Sequence, residues 1–173
     1  MKTLLSLILV ISFFFTNLVL SEQKIAFIDM DKVISKSNSG SSVLKQLNDL
    51  SNKNKKFLKD EEKKFKEKEK KLISQKNIIS GVDFKNKIDE LKSEIKSYNQ
   101  NKKKIIANFN KLKVDSTNTL LNLINPILIE FSNEKEISII FQKKNLVVAK
   151  SELDISDEII KIVNNKVKDF KIK

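Results

Sequence analysis

From Leu44 to Leu123 the chain carries no Pro and a single Gly, Gly81, near the midpoint. Eighty residues without a helix breaker, apolar at helical spacing and otherwise filled with Lys, Asn, Ser and Glu, permit few folds. The pattern predicts two long antiparallel helices joined at a tip, an arm of residues 44–120 projecting from a small body. Counting sevens from Leu44 gives Ser51, Leu58, Phe65, Leu72 and Ile79. The column three further on is Leu47, Asn54, Glu61, Lys68, Gln75 and Val82, mostly polar. The returning half is better patterned, with Phe84, Ile88, Leu91, Ile95, Tyr98, Ile105, Phe109 and Leu112 at steps of three and four, broken by Lys102. Roughly 40 helical residues span about 60 Å, so a thin seam must hold a long arm that frays toward its tip.

The tip is expected within residues 74–83, where Gly81 would take a positive φ and Ser80 or Asp83 would cap. Ile78, Ile79 and Val82 are expected to pin the turn by packing on one another. The alternative is that they grip apolar segments of a partner.

The body must come from residues 22–43 and 121–173. KIAFI at Lys24–Ile28 reads as a strand, followed by a short helical turn. Ser35 to Ser42 reads as a loop, with Ser41 or Ser42 capping the outgoing helix. After Leu112 the apolar face broadens through Leu120, Leu121, Leu123, Ile124, Ile127, Leu128 and Phe131, and Pro126 predicts a kink where arm passes into body. ISIIF at Ile137–Phe141 and LVVA at Leu146–Ala149 read as a hairpin across QKKN, with Asn145 left-handed. Ser156 is expected to cap a last helix reaching about Phe170. A body of roughly 70 residues with three strands is marginal alone, so oligomerisation is expected on physical grounds. Ile25, Phe27, Ile137, Ile139, Phe141 and Val147 are the candidates for a shared core.

Residues 1–21 read as a cleavable secretory signal peptide: Lys2, the apolar run Leu4–Phe15, then Val19 and Ser21 before a cut at Glu22. The chain has no Cys, so neither disulfides nor a lipid-modified Cys can contribute. Beyond residue 21 it has 33 Lys, no Arg and 22 acids, a net charge of +11. Lys53–Lys113 holds 20 Lys and 9 acids, the same +11, so the positive field belongs to the arm. Such a field steers acidic partners: lipid head groups, lipopolysaccharide, acidic polypeptides or nucleic acid. With neither His nor Cys, the commonest general base, thiol nucleophile and transition-metal ligands are missing. Two Gly cannot build a phosphate loop. No catalytic, cofactor or metal site is expected.

KIAFIDMDKVISKS, SNSGSSVLKQL and NPILIEFSNEKEISIIFQKKNLVVAKSELDISDEII, in this order around a Lys-rich helical middle, resemble the Skp/OmpH family of periplasmic chaperones. Asp154-Ile155-Ser156-Asp157-Glu158-Ile159 is similar to the family's closing D-I-T-D-x-V signature, with Ser156 in the Thr place. The resemblance implies a periplasmic homotrimer whose strands share one body. Three helical arms would hang around a cavity that holds unfolded outer-membrane proteins without ATP. It also implies a lipopolysaccharide contact through basic residues, although a chain without Arg departs from the usual pattern. Candidate client contacts are Leu58, Phe65, Leu72, Ile88, Ile95 and Tyr98 wherever the seam leaves them free, with Lys55, Lys56, Lys63, Lys64, Lys102, Lys103 and Lys104 for electrostatic capture. Two other classes fit the composition: a coiled-coil spacer between envelope parts, and a nucleic-acid binder. Against the latter stand the export signal and the lack of Arg forks and interleaved aromatics, so no specific nucleic acid is expected.

Overall fold

The computed structural model describes residues 23–172. The signal-peptide expectation falls on residues outside these. Among the described residues the strands and α-helices run in the order β1 (Lys24–Ile28), α1 (Met30–Lys36), α2 (Asn38–Ser74), α3 (Gly81–Lys135), β2 (Ile137–Gln142) and α4 (Ser156–Lys166), with two 3-10 turns between β2 and α4. The molecule is mainly α with a small β-containing body, and α2 and α3 form the antiparallel arm.

Between β1 and the arm the chain is helical almost throughout. Asp29 caps α1 by accepting from the Lys32 N–H at 2.9 Å. Ser37 both ends α1 and caps α2, accepting from the Gly40 N–H at 3.3 Å. The outgoing helix therefore starts one turn before the expected Ser41 or Ser42, and the expected Ser35–Ser42 loop is the joint between two helices. Gly40 permits that joint, since a Cβ there would lie 1.9 Å from the Ile34 carbonyl oxygen.

The helix α3 runs unbroken through Pro126 and ends at Glu136, whose left-handed φ of 57° lets its N–H close the last turn. The chain then enters β2, parallel to β1, with Ile25 opposite Ile139 and Phe27 opposite Phe141. Parallel pairing needs a crossover, and the whole arm supplies it.

There is no hairpin after β2. Lys143–Asn145 form a 3-10 turn, and Leu146–Ala149 join no strand. Asn145 is not left-handed. The cause is the route of the chain toward α4: Asp154 bridges Phe27 on the other side of β1, and the Ile155 N–H donates to the Phe27 carbonyl at 3.0 Å. The chain must pass from one edge of β1 to the other, so it cannot fold back along β2. Val147 and Val148 are left 100% and 88% exposed.

Two apolar clusters hold the body. The larger packs Ala26 and Ile28 of β1 with Val33, Ile124, Ile127, Phe131, Ile155, Ile159, Val163 and Val167. A smaller one at the neck of the arm joins Val43, Leu47 and Leu120, with Phe109, Leu112, Phe170 and Ile172 against it. The tail reaches this neck because α4 stops at Lys166, short of the expected Phe170, and the chain continues without regular secondary structure. The Gln46 side chain fastens it, donating to the Phe170 carbonyl at 3.0 Å and accepting from the Ile172 N–H at 3.3 Å.

The closing signature ties these pieces together. Ser156 does not cap α4: Ile155 holds the cap position without a side-chain bond, and Asp154, one residue earlier, accepts from the Ser156 N–H at 2.9 Å. Ser156 is the first helical residue, fully buried; its hydroxyl donates to Asp154 and accepts from the Asp29 N–H at 2.8 Å. One hydroxyl thus joins the end of β1 to the start of α4.

Candidate interaction surfaces

The seam of the arm follows the heptad frame. Ser51, Asn54, Leu58, Glu61, Phe65, Leu72 and Ile79 on the outgoing side are half-buried or buried, as are Phe84, Ile88, Leu91, Ile95, Tyr98, Ile105, Phe109 and Leu112 on α3. All six apolar candidates for client contact, Leu58, Phe65, Leu72, Ile88, Ile95 and Tyr98, therefore lie on the seam. Phe65 and Tyr98 stack across it, their ring centroids 5.3 Å apart and tilted by 56°.

Lys102, the break in the pattern, sits on the seam with a partner. Its Nζ lies 2.7 Å from Glu62 Oε1, and the Tyr98 hydroxyl lies 3.0 Å from the same oxygen. The hydrogen bond from Lys102, then that from Tyr98, hold the Glu62 carboxyl below the usual range, and Glu62 in turn raises Lys102. Partial burial raises the Tyr98 hydroxyl, with Glu62 adding to it. A cation that looked like a defect is a cross-helix tie. Lys68 and Glu94 make a second at 2.5 Å.

The remaining lysine candidates, Lys55, Lys56, Lys63, Lys64, Lys103 and Lys104, are exposed. Lys63 and Lys64 pair along their own helix with Glu67 and Glu61. Among the described residues, Lys55, Lys56, Lys103 and Lys104 make no ion pair. Sequence reasoning passed over the exposed apolar side chains of the shaft, Phe57, Ile106 and Val114. Their signal was phase: each falls off the heptad columns that bury its neighbours.

At the tip the expected packing does not form. The reversal runs through residues 75–80 without a positive φ, and Gly81 is simply the first residue of α3, capped by Ser80. Of the apolar residues there, Ile79 is half-buried, while Ile73, Ile78 and Val82 are 62%, 79% and 71% exposed. A Cβ at Gly81 would meet nothing within 4 Å, so no close approach calls for a glycine there.

The body offers a third surface. On the sheet face turned from the core, Ile25 lies opposite Ile139 and Phe27 opposite Phe141, all in register. Phe27 is buried, but Ile25, Ile139 and Phe141 are nearly half exposed. Of the other two candidates for a shared core, Val147 is fully exposed, whereas Ile137 packs against the larger cluster of its own chain. Among the described residues no acid group could hold a metal, and no helix is long and apolar enough to cross a membrane.

A family model described as outer membrane protein (OmpH-like) matches residues 24–163, which include both strands and the entire arm. The chain belongs to the OmpH-like family. A solved structure from Caulobacter crescentus CB15, described as a candidate outer membrane chaperone (OmpH-like), superposes with a TM-score of 0.75. The identity is 14%, and the match covers 87% of this chain and 89% of that one. The OmpH-like fold is thus kept where little of the sequence is. No curated protein gives a significant match.

Proposed function

We propose that this OmpH-like protein is a periplasmic chaperone that holds unfolded outer-membrane proteins between its arms, without ATP and without catalysis. The observation that carries the reading is the family match across arm and body together, over residues 24–163. The arm's chemistry supports it. Its large apolar side chains are mostly occupied by the seam, leaving a lysine surface with isolated exposed residues such as Phe57 and Ile106. Weak apolar contact plus long-range attraction suits a guest with no fixed shape. In this reading the capture lysines are Lys55, Lys56, Lys63, Lys64, Lys103 and Lys104, while Lys102 is held by Glu62 in the seam. The seam residues keep the arm long enough to reach around the guest.

The active form is a homotrimer, with Ile25, Phe27, Ile139, Phe141 and Val147 meeting their counterparts in one shared body. The same positive field draws the arms toward anionic envelope surfaces, lipopolysaccharide among them. The test is dilution of a denatured outer-membrane protein into the purified chaperone without nucleotide. A holdase suppresses light scattering at a stoichiometric ratio. Unchanged scattering would overturn the reading and leave a coiled-coil spacer.

A further inference from the structure

We propose that the neck of the arm is a binding site for an unfolded segment with apolar side chains at alternate positions, and that the chain's own tail fills it as a removable plug. The groove is apolar: Val43, Leu47 and Leu120 form its floor, with Phe109 and Leu112 beside them. Phe170 and Ile172 pack into it while Lys171 between them stands exposed, the alternation of a strand in a tail that joins no sheet. Gln46 holds the backbone of this segment, not its side chains. Its Nε2 donates to the Phe170 carbonyl at 3.0 Å, and its Oε1 accepts from the Ile172 N–H at 3.3 Å. The same Nε2 lies 3.4 Å from the Ser42 carbonyl one turn back, which orients the amide. A carbonyl and an N–H two residues apart belong to any sequence without Pro at the second place. The site therefore reads alternation and not identity.

Three observations make the tail a plug and not a part of the body. Its firm attachments are Val167, buried in the larger cluster, and Lys166, paired with Glu130. Among the described residues, what lies beyond them is held by the Gln46 bonds and two half-buried side chains, so it can leave without unpacking the body. Its charge is also mismatched. Lys168 and Lys171 make no ion pair among the described residues, and the arm that rises from the neck carries the net +11. A guest with acids at its outward positions gains there what the tail lacks. Lastly, the family match ends at residue 163, so the groove lies inside the shared region and the plug outside it. The membrane strands of outer-membrane proteins alternate apolar and polar residues, which makes them a source of such segments. For that source alone the inference rests on the holdase reading.

The chain contains no Trp, so Phe170→Trp reports on the tail alone. The probe is a synthetic peptide alternating Phe and Ile with Ser and Glu. The control peptide has the same composition with its apolar residues in one block. The emission of Phe170→Trp should move to the red as the alternating peptide displaces the tail, and stay in place with the control. By anisotropy, the labelled probe should bind the full chain carrying Phe170→Ser and Ile172→Ser about tenfold tighter than wild type, because a tethered competitor is gone. Circular dichroism should be unchanged. Adding Gln46→Ala to that variant should weaken the probe again, by about tenfold. Three results would overturn the proposal. One is equal affinity of wild type and the double Ser variant, which makes the tail a fixed staple. Another is equal binding of the control peptide, which means plain apolar adhesion. The third is a Gln46→Ala change without effect on the probe. The scattering assay separates this inference from the chaperone reading. A double Ser variant that protects a denatured client but takes up no probe sinks the neck site alone, whereas probe binding without protection keeps the site and removes the holdase.

Discussion

Gly40 sits where a side chain has no room. A Cβ there would press to 1.9 Å on a backbone oxygen of α1, an atom that cannot swing away. Gly40→Ala must therefore move α1 against α2, and a loss on the order of 3 kcal/mol is expected in urea unfolding of the body. Asp154 works through charge instead. Burial disfavours its ionised form, but the hydroxyl and N–H of Ser156, with Lys143 and Lys32 nearby, outweigh that and hold the carboxyl below its usual range. A carboxyl lowered by folding stabilises the fold above its unfolded value, about pH 4, and that contribution disappears as pH falls through the folded value. Asp154→Asn keeps an acceptor and removes the charge. The gap in urea midpoint between wild type and variant should be widest near neutrality and shrink as the pH drops below about 4. Neither residue's task could be read beforehand. The glycine seemed to belong to a loop because its clash partner lies on another helix. The signature's Ser156 seemed a cap because its true partner, the Asp29 N–H, is 127 positions away.

Among the elements, the hairpin has two kinds of grip. Near the neck, Val43, Leu47 and Leu120 are buried beneath the tail that Gln46 fastens. Toward the tip, Leu72 is the one buried apolar side chain of the shaft beyond Leu47 on α2. Leu72→Ala should raise amide exchange through roughly the outer third of the arm while leaving the body's thermal transition in place, because the two regions share no cluster. Hydrogen exchange resolved by peptide checks this, and an equal rise in the body would contradict it. The seam was legible because a helix pair writes its contacts locally, at spacings of three and four, from Leu58 to Leu112. The sheet was not, because strand pairing is non-local. Leu146–Ala149 has the composition of a strand, but where it can pair depends on the chain's route around β1, which no local pattern records. Lys102 was misleading for the same reason: its Glu62 partner is on the other helix.

For the whole molecule, a two-stranded sheet with an apolar outer face is an incomplete object. Ile25, Ile139 and Phe141 stand in register, half exposed, and Val147 and Val148 project into solvent from a chain that has left the sheet. Single exposed apolar residues are ordinary, but a contiguous face of them marks an interface. Sister chains of the proposed trimer would cover it, and the arms, whose own seam is elsewhere, would remain free. Ile139→Asp places a carboxylate on the outer face while leaving Ala26, Ile28 and Ile140 packed on the inner one. The variant should sediment as a monomer, and the wild type as the proposed trimer. It should keep most of its helical signal, since the arm folds on its own seam. It should also lose protection of a denatured client, because a lone arm encloses nothing. Analytical ultracentrifugation and the scattering assay on one preparation separate the outcomes. A trimeric Ile139→Asp would move the interface off this face, and a monomer that still protects would take enclosure out of the mechanism.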